Sequence, residues 1–284
     1  MSIDLEKALG AELAPTSGSW SRDDVILYHL GIGAGVGKAT DPKELEYAYE
    51  RNLKVLPSFG VVPVFDAVMQ MNSVPGIDIN FGMVLHGEQE LKIHRALPPE
   101  AEVDNTGRIV EIYDKGKAAL IVIEAVTTKK GGDKLCTNRF SVFARGEGGF
   151  GGESGPQPAN VAPDRDPDLV VDSTTTPHQA LLYRLSGDKN PLHADPSFAK
   201  KGGFDVPILH GLCSFGVVCK AVVDSALDGD VSRVTGYSTR FAGVVFPGET
   251  IQTSMWREEG QILLTAKTIE RDSPVMTNAS IKIA

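Results

Sequence analysis

The chain repeats its own order of sequence patterns, and this repeat constrains the fold more than any other feature. The stretch SRDDVILYHLGIGAG (21–35) parallels STTTPHQALLYRLSGDKNP (173–191): each has polar residues suited to start a helix, then Leu-Tyr-X-Leu on a short apolar helix, then a glycine-containing loop. Further on, LKVLPSFGVVPVFDAVMQ (53–70) parallels FDVPILHGLCSFGVVCKAVVDSAL (204–227), and Ser-Phe-Gly-Val-Val is identical in both. Such a repeat predicts two related modules in one chain.

Each module is predicted to contain one long helix and an antiparallel sheet. After the helix come β-branched, alternating segments bounded by turn residues: IVEIYDKG, AALIVIEAVTT and NRFSVFARG in the first half, and RVTGYSTRFAG, TIQTSMWREEG, QILLTAKTIER and NASIKIA in the second. The second-half helix is mostly apolar, so we expect the sheet to wrap around it. This combination predicts an α+β protein with a double hot-dog fold.

A glycine- and proline-rich stretch separates the two modules. GEGGFGGESGPQP (146–158) cannot easily form a helix or a central strand, and a polar segment follows it up to residue 167. At 284 residues the chain is long enough for two cores. We therefore place the boundary near 150–165, with a first module at 1–150 and a second at 165–284.

Composition excludes several classes of function. The net charge of -9 provides no general positive field for a nucleic acid. No apolar run approaches the roughly 20 residues of a membrane span. The three cysteines, Cys136, Cys213 and Cys219, are odd in number and lack metal-ligand spacing, which argues against a disulfide framework or a zinc site. MSIDLEKALG has no signal-peptide pattern and SIKIA is not a peroxisomal address, so we expect a cytoplasmic protein.

The most reactive side chains lie together in YRLSGDKNPLHADPSFAKKGGFDVPILHGLCSFG (183–216). Asp188 and His193 are separated by a turn that Pro191 makes rigid, so a carboxylate and an imidazole are expected to meet in one small volume. Near neutral pH, this pair can act as acid and base toward a water molecule. Asn190 can both donate and accept hydrogen bonds and so can orient a partner.

The same loop has a simpler interpretation. Gly-Asp-X-Asn-Pro is rich in turn formers, and His193 could cap the next helix. The internal copy argues against this, because the first half has GIGAG where the second has SGDKNPLH, so the fold does not require Asp, Asn or His there. Nearby, His210 and Gly211 begin the long helix, where backbone N–H groups can stabilise a developing negative charge.

The string from Tyr183 to His193 resembles the signature of the (R)-specific 2-enoyl-CoA hydratases, or hydratase 2, of the MaoC-like dehydratase family. PILHGLCSFG, TRFAGVVFPGET, the first-half VLHGEQEL and the linker GGFGG are similar to the hydratase 2 module of peroxisomal multifunctional enzyme type 2. The resemblance covers nearly the whole chain. It implies reversible hydration of trans-2-enoyl-CoA to (3R)-3-hydroxyacyl-CoA, with no metal and no cofactor, since CoA is part of the substrate.

The resemblance also implies roles for individual residues. Asp188 and His193 would be the catalytic acid and base, Asn190 would support their geometry, and the Gly211 amide would bind the thioester carbonyl. Further positions match contacts to CoA or its thioester arm: His86, Gly87, Lys115 and Phe241. Lys115 can equally be a solvated turn lysine in YDKGK, and Phe241 a residue of the core.

Two alternative functions remain open on the sequence. A hot-dog acyl-CoA thioesterase would bind the same class of ligand, but the Asp-X-Asn-Pro-X-His loop argues against it. A non-catalytic acyl-CoA-binding subunit is disfavoured by the intact Asp188–His193 pair.

A metal site formed by Asp188, His193 and His210 matches no standard ligand spacing. We expect an acyl-CoA thioester as the partner, a possible homodimer, and a hydratase not fused to a dehydrogenase, because no convincing Rossmann motif is present.

The first module is predicted to lack catalytic residues and to serve acyl or CoA binding. Pro63 stands in its long helix where the second half has Cys219. A proline inside a helix removes a backbone hydrogen bond, so this helix should be interrupted or shortened. The space freed would accommodate long or branched acyl chains, and either fatty acyl or steroid side chains would fit.

Overall fold

The computed structural model describes residues 3–80, 82, 84–157 and 159–284, apart from the side chain of residue 72. Its α-helices are α1 (Leu5–Ala8), α2 (Arg22–Gly31), α3 (Pro42–Ala48), α4 (Phe65–Val68), α5 (Gln179–Tyr183), α6 (Pro196–Lys201) and α7 (Gly211–Ala226). Its strands are β1 (Glu12–Trp20), β2 (Val84–Ile93), β3 (Ala101–Asp114), β4 (Ala118–Lys129), β5 (Lys134–Arg145), β6 (Leu169–Thr174), β7 (Val234–Phe241), β8 (Thr250–Glu258), β9 (Gln261–Thr268) and β10 (Ser273–Ile283). Among these helices, none is long and apolar enough to cross a membrane.

The strands form a ten-stranded sheet in the order β1-β3-β4-β5-β2-β7-β10-β9-β8-β6. Counted from each outer edge toward the centre, the first half runs β1-β3-β4-β5-β2 and the second runs β6-β8-β9-β10-β7. The two halves therefore place corresponding strands in corresponding positions. Neighbouring strands are antiparallel throughout. The repeat read from the sequence is present in the topology.

Strands β2 and β7 join the two halves. Residues 88–92 pair with residues 236–240, and Glu88 stands opposite Arg240. The sheet thus continues from one half into the other through backbone hydrogen bonds. The chain between β5 and β6, which includes the predicted linker, forms no helix or strand in its described residues.

Helix α7 lies in the core of the second half. Phe215, Val218 and Val222 are fully buried, and buried side chains occur on most of its faces, as expected for a helix surrounded by protein. The helix packs against β6, β7 and β8, and the Phe215 ring stacks on Tyr237 of β7 with ring centroids 3.8 Å apart. The predicted arrangement of a long helix wrapped by a sheet is confirmed for this half.

The corresponding helix of the first half is broken into short pieces. A 3-10 turn at Pro57–Val61 is followed by α4 and then by a second 3-10 turn at Met69–Ser73. Pro63 lies in the gap between the first turn and α4, where its ring and missing N–H prevent a continuous helix. The predicted interruption is confirmed.

The two Leu-Tyr-X-Leu helices, α2 and α5, pack against each other across the molecule. Ser21 and Asp24 form a capping box that starts α2. At its other end, the Gly31 carbonyl accepts a hydrogen bond from Gln179 of α5 at 3.1 Å and from the Cys213 thiol of α7 at 3.3 Å. The start of α7 is therefore fixed to both halves of the protein.

Candidate active site

The loop between α5 and α6 is built from successive short turns. Gly187 has a φ of 129°, a conformation that favours glycine, and it turns the chain after α5. The Asp188 carboxylate then accepts a hydrogen bond from the Asn190 N–H at 3.0 Å, and the Asn190 side-chain oxygen accepts one from the Leu192 N–H at 3.0 Å. A 3-10 turn at Pro191–His193 completes the loop. These local bonds hold Asp188 and His193 in fixed relative positions.

His193 is buried, and its hydrogen bond determines which ring nitrogen carries the proton. Nδ1 lies 2.8 Å from the carbonyl oxygen of Ile208, which can only accept, so Nδ1 is the protonated nitrogen. Burial lowers the pKa of His193, partly opposed by this hydrogen bond and by the negative charge of Asp188. In the neutral ring Nε2 is unprotonated and can accept a proton. The cap of α6 is Asp195, so the helix-capping interpretation of His193 is wrong.

Three side chains converge at this loop. Asp188, His193 and His210 each place one nitrogen or carboxylate oxygen atom within 4.8 Å of those of the other two. The imidazole rings of His193 and His210 are stacked, with centroids 3.8 Å apart and an angle of 29° between their planes. The predicted meeting of the Asp188 carboxylate and the His193 imidazole is therefore present. A water molecule between them could contact both groups.

The same cluster is a poor metal site for a geometric reason. An imidazole binds a metal through a lone pair that lies in the plane of its ring, and zinc prefers ligands arranged as a tetrahedron. Because the two rings are stacked, their lone pairs run side by side instead of meeting at one point. The arrangement suits proton transfer better than metal binding.

Gly211 is the first residue of α7, beside the cluster. His210 occupies the N-cap position, and its side chain does not cap the helix, which leaves the first N–H groups of α7 available to an oxygen atom of a ligand. A Cβ atom at position 211 would lie 3.3 Å from the Phe241 ring. Glycine therefore lets the aromatic ring, or a ligand, come close to the backbone.

Two of the predicted CoA contacts meet beside Gly211. The His86 ring lies 4.9 Å from the Phe241 ring and 5.4 Å from the Phe140 ring, measured between centroids. Burial lowers the pKa of His86 to about 4, so the ring is neutral at physiological pH. His86 and Phe241 thus form an aromatic wall next to the start of α7.

The other two predicted contacts have structural surroundings of their own. Gly87 lies where β2 shifts register against β5, and a Cβ atom there would lie 3.2 Å from the Ser141 carbonyl oxygen. Lys115, in the β3–β4 turn, donates to the Ser154 carbonyl oxygen in the linker, and its ammonium is 5.7 Å from the centroid of the Tyr113 ring. Both residues thus have close neighbours within the protein itself.

Two residues near the site had no predicted role. The Tyr183 ring lies 4.9 Å from the His210 ring, and the half-buried Arg184 guanidinium donates to the Lys189 carbonyl oxygen at 3.2 Å. Burial is the main cause that lowers the pKa of both histidines in the cluster, and the positive charge of Arg184 lowers it further. Tyr183 and Arg184 both lie in the Tyr183–His193 string that resembles the hydratase 2 signature, and this was the sequence signal that could have pointed to them.

The fold and the site define a class of protein: a duplicated hot-dog enzyme in which one of the two halves brings a carboxylate and two imidazoles together. Residues 19–146 match the MFE-2 hydratase 2 N-terminal domain, and residues 158–279 match the MaoC-like domain. An enoyl-CoA hydratase of Mycobacterium tuberculosis is 46% identical over 278 residues, which cover 97% of each chain. The mouse peroxisomal multifunctional enzyme type 2 is 41% identical, and the match spans 97% of this chain but only 38% of the mouse protein.

A solved structure agrees over the whole length. The crystal structure of a MaoC-like dehydratase from Phytophthora capsici superposes with a TM-score of 0.88 and 33% identity, covering 99% of this chain and 98% of the other. The predicted double hot-dog fold is confirmed. The chain belongs to the MaoC-like family, in its hydratase 2 group. Membership makes it a hydro-lyase, an enzyme that adds water to a double bond or removes it.

Proposed function

We propose that the protein catalyses the reversible hydration of trans-2-enoyl-CoA to (3R)-3-hydroxyacyl-CoA, with Asp188 and His193 as the acid/base pair. The observation that carries the proposal is the convergence of the Asp188 carboxylate with the His193 imidazole, whose Nε2 is unprotonated, beside the start of α7, which no side chain caps. The relatives named as enoyl-CoA hydratases and as a 3-hydroxyacyl-thioester dehydratase support the same reaction.

In the proposed reaction, a water molecule lies between Asp188 and Nε2 of His193. As its oxygen bonds to carbon 3, the pair takes a proton from it, and the electrons of the carbon–carbon double bond move toward the thioester carbonyl. The pair then returns a proton to carbon 2, so that H and OH are added with no net consumption of protons. The Gly211 N–H stabilises the negative charge on the thioester oxygen in between.

Asn190 contributes indirectly to this reaction. Its side chain is exposed and accepts the Leu192 N–H, which fixes the turn that carries His193. We therefore assign Asn190 the role of holding the loop in shape. For the CoA arm, the aromatic wall of His86 and Phe241 beside Gly211 favours contact with the thioester end, and Gly87 and Lys115 are proposed as further contacts.

The two halves are proposed to divide the work. The second module, 165–284, carries the reacting groups, and the first, 1–150, binds acyl and CoA portions without a second active site. The broken helix at residues 57–73 supports the proposal that this half has room for a long or branched acyl chain. Both fatty acyl and steroid side chains remain candidates for that chain. The absence of a cofactor, the homodimer and the cytoplasmic location stay predictions; the mouse relative is named peroxisomal.

One assay separates this function from the alternatives. Protein is mixed with crotonyl-CoA while the absorbance of the enoyl thioester and the release of free thiol are followed together. A hydratase removes the enoyl absorbance without releasing thiol. A thioesterase releases thiol, and a non-catalytic acyl-CoA-binding subunit changes neither signal; either result would remove the proposal.

The configuration of the product provides a second test. Coupling the reaction to an (S)-specific 3-hydroxyacyl-CoA dehydrogenase should give no NADH, whereas an (R)-specific dehydrogenase should give a stoichiometric amount. NADH formation with the (S)-specific enzyme would contradict the (3R) assignment while leaving hydration itself established.

A further inference from the structure

His210 is a buried titratable residue that the proposed reaction steps do not use. It is only 1% exposed, it lies at the N-cap of α7 without capping the helix, and its ring stands between those of Tyr183 and His193. A buried imidazole is costly unless its polar atoms are satisfied. The burial of the His210 imidazole at this position therefore needs an explanation.

The hydrogen bond of His210 fixes its tautomer. Nε2 lies 3.2 Å from the backbone carbonyl oxygen of Asp188, which can only accept, so Nε2 carries the proton and donates it. Burial, followed by the charge of His193, lowers the pKa of His210 to about 2. The ring is thus neutral, and Nδ1 has no partner among the described residues. One side chain is bonded to the backbone of Asp188 and stacked on His193.

The internal copy indicates that the fold does not need a histidine here. With Ser-Phe-Gly-Val-Val in register, the first-half residue that corresponds to His210 is Lys54. Its side chain turns outward and forms an ion pair with Glu46 at 2.6 Å, with 30% of the lysine side chain exposed. The half without a reactive loop has a surface ion pair at the position where the other half has a buried imidazole.

We propose that His210 is a positioning residue, which holds the backbone of Asp188 through its Nε2–H and supports the ring of His193 by stacking. This inference rests on the proposed hydratase function. The hydrogen bond from His210 to Asp188 ties the loop to the start of α7. The stacked ring restricts rotation of the His193 imidazole, which donates a hydrogen bond from Nδ1 to the Ile208 carbonyl oxygen. Both reacting groups thereby keep a constant distance from the Gly211 amide.

The neutral state of His210 also affects the charge that His193 carries in the reaction. The charged or titratable groups around the His193 ring are Asp188, Arg184 and His210. The stacked His210 ring is neutral, so it adds no charge beside His193, and it keeps water from one face of the His193 ring. A positively charged side chain at position 210 would instead repel the protonated His193 ring.

Two substitutions separate the two roles. His210→Gln keeps an amide donor near the Nε2 position but removes the ring, and His210→Phe keeps the ring face but removes the donor. We expect kcat to fall roughly 10- to 100-fold in each, because small displacements of reacting groups have effects of that size, while KM for crotonyl-CoA changes little. With the ring gone, water reaches His193, so the acid limb of the pH profile of kcat/KM should move to higher pH in His210→Gln and stay in place in His210→Phe.

The matched control is Lys54→Gln, at the corresponding position of the first half. It should leave kcat and the pH profile unchanged. If both His210 variants keep wild-type kcat and pH profile, or lose only thermal stability, the positioning role is overturned.

A second measurement keeps this test separate from that of the proposed function. If the wild type does not hydrate crotonyl-CoA, the proposed function fails, and ¹⁵N NMR of the imidazoles still decides on His210. Wild-type His193 should be a single Nδ1–H tautomer, and in His210→Gln a mixture of tautomers. An unchanged single tautomer in the variant would overturn the inference.

Discussion

At the scale of single residues, the acid/base pair gives the most direct prediction. Asp188→Asn removes a carboxylate and His193→Gln removes an imidazole, while both keep approximate shape and polarity. General acid/base catalysis contributes on the order of 100- to 10,000-fold, so the hydration rate should fall by that factor in each variant. Steady-state rates with crotonyl-CoA, together with circular dichroism to verify folding, measure this.

His94→Gln is the control for these two variants. His94 is exposed. Among the described residues, its side chain forms one hydrogen bond, with the Thr137 hydroxyl at 2.9 Å. Its replacement should not change the rate. A folded Asp188→Asn protein with near-native turnover would remove the assignment of Asp188.

His29 gives a prediction about acid stability. It is fully buried; Nδ1 donates to the Tyr47 carbonyl oxygen at 2.8 Å and Nε2 accepts the Leu56 N–H at 3.2 Å, so protonation would break the second bond. Burial lowers its pKa from 6.5 to about 4. The unfolded state therefore binds more protons between these values, and stability falls as the pH drops from about 6.5 toward 4.

The measurement is the free energy of unfolding in denaturant at several pH values. In His29→Gln the dependence on pH should be shallower by up to about 1.4 kcal/mol per pH unit in that window, the value for one fully coupled group. The variant will be less stable near pH 7, since it loses buried hydrogen bonds, so the slope and not the absolute value is decisive. An unchanged slope would show that His29 does not titrate as a buried neutral group.

The sequence predicted the proximity of Asp188 and His193 in the 183–193 loop because the signal there is local. Asp188, Asn190 and His193 are joined by turns only a few residues long, and proline and glycine fix such turns directly. The stacking of His210 on His193 and the bond from His210 to Asp188 connect residues far apart in sequence, with no periodicity to reveal them. Long-range side-chain contacts of this kind depend on packing.

At the scale of secondary-structure elements, the contact between α7 and α2 is closely packed. A Cβ atom on Gly216 would lie 2.6 Å from the Ile32 Cγ2 atom and 2.7 Å from the Tyr28 hydroxyl oxygen. Gly216→Ala should therefore destabilise the protein by about 1–3 kcal/mol, the usual cost of overpacking, despite the better helix propensity of alanine. Denaturant unfolding measures the change.

Gly18→Ala is the matched control, because nothing lies within 4 Å of a Cβ atom at that position in β1. It should leave stability close to the wild-type value. Equal stability of the Gly216→Ala protein and the wild type would mean that α2 moves away from α7 at little cost.

Strand prediction succeeded for most of the sheet, but it missed β1 and β6 at the edges and β2 at the junction of the two halves. The segments that became β3, β4 and β5 carry runs of β-branched residues, and they are flanked by other strands. Strand β1 reads ELAPTSGSW, pairs only with β3 and buries only Leu13 and Trp20, so it has no apolar alternation and its pattern was not recognised. Strand β6 lies at the opposite edge, where the same reasoning applies.

At the scale of the whole molecule, the broken helix gives a prediction about substrate size. Because Pro63 interrupts the first-half helix, that half should leave room for the acyl tail, and kcat/KM should hold or rise from crotonyl-CoA to longer or branched 2-enoyl-CoAs. Kinetics across a panel of chain lengths measures this. A steep decline beyond crotonyl-CoA would mean that side chains fill the space, as close packing in protein interiors favours.

The same asymmetry predicts one active site per chain. Isothermal titration with a non-reactive acyl-CoA analogue should give a single site of high affinity per polypeptide, since the first-half loop has Gly33 where Asp188 stands and Lys38 where His193 stands. Two equivalent sites would contradict this division between the halves.

The β2–β7 junction also bears on how such a chain can diverge in evolution. If an ancestral single module paired with a second copy of itself, any substitution at the junction edge would have appeared in both copies at once. In one continuous chain the two edges are separate stretches of the same gene and can change independently. Glu88 and Arg240 face each other across the junction with opposite charges, and in the continuous chain either can change without a change at the equivalent position of the other half. The same independence applies to the loops: one half can have Asp188 and His193 while the other does not, with the pairing between β2 and β7 unchanged.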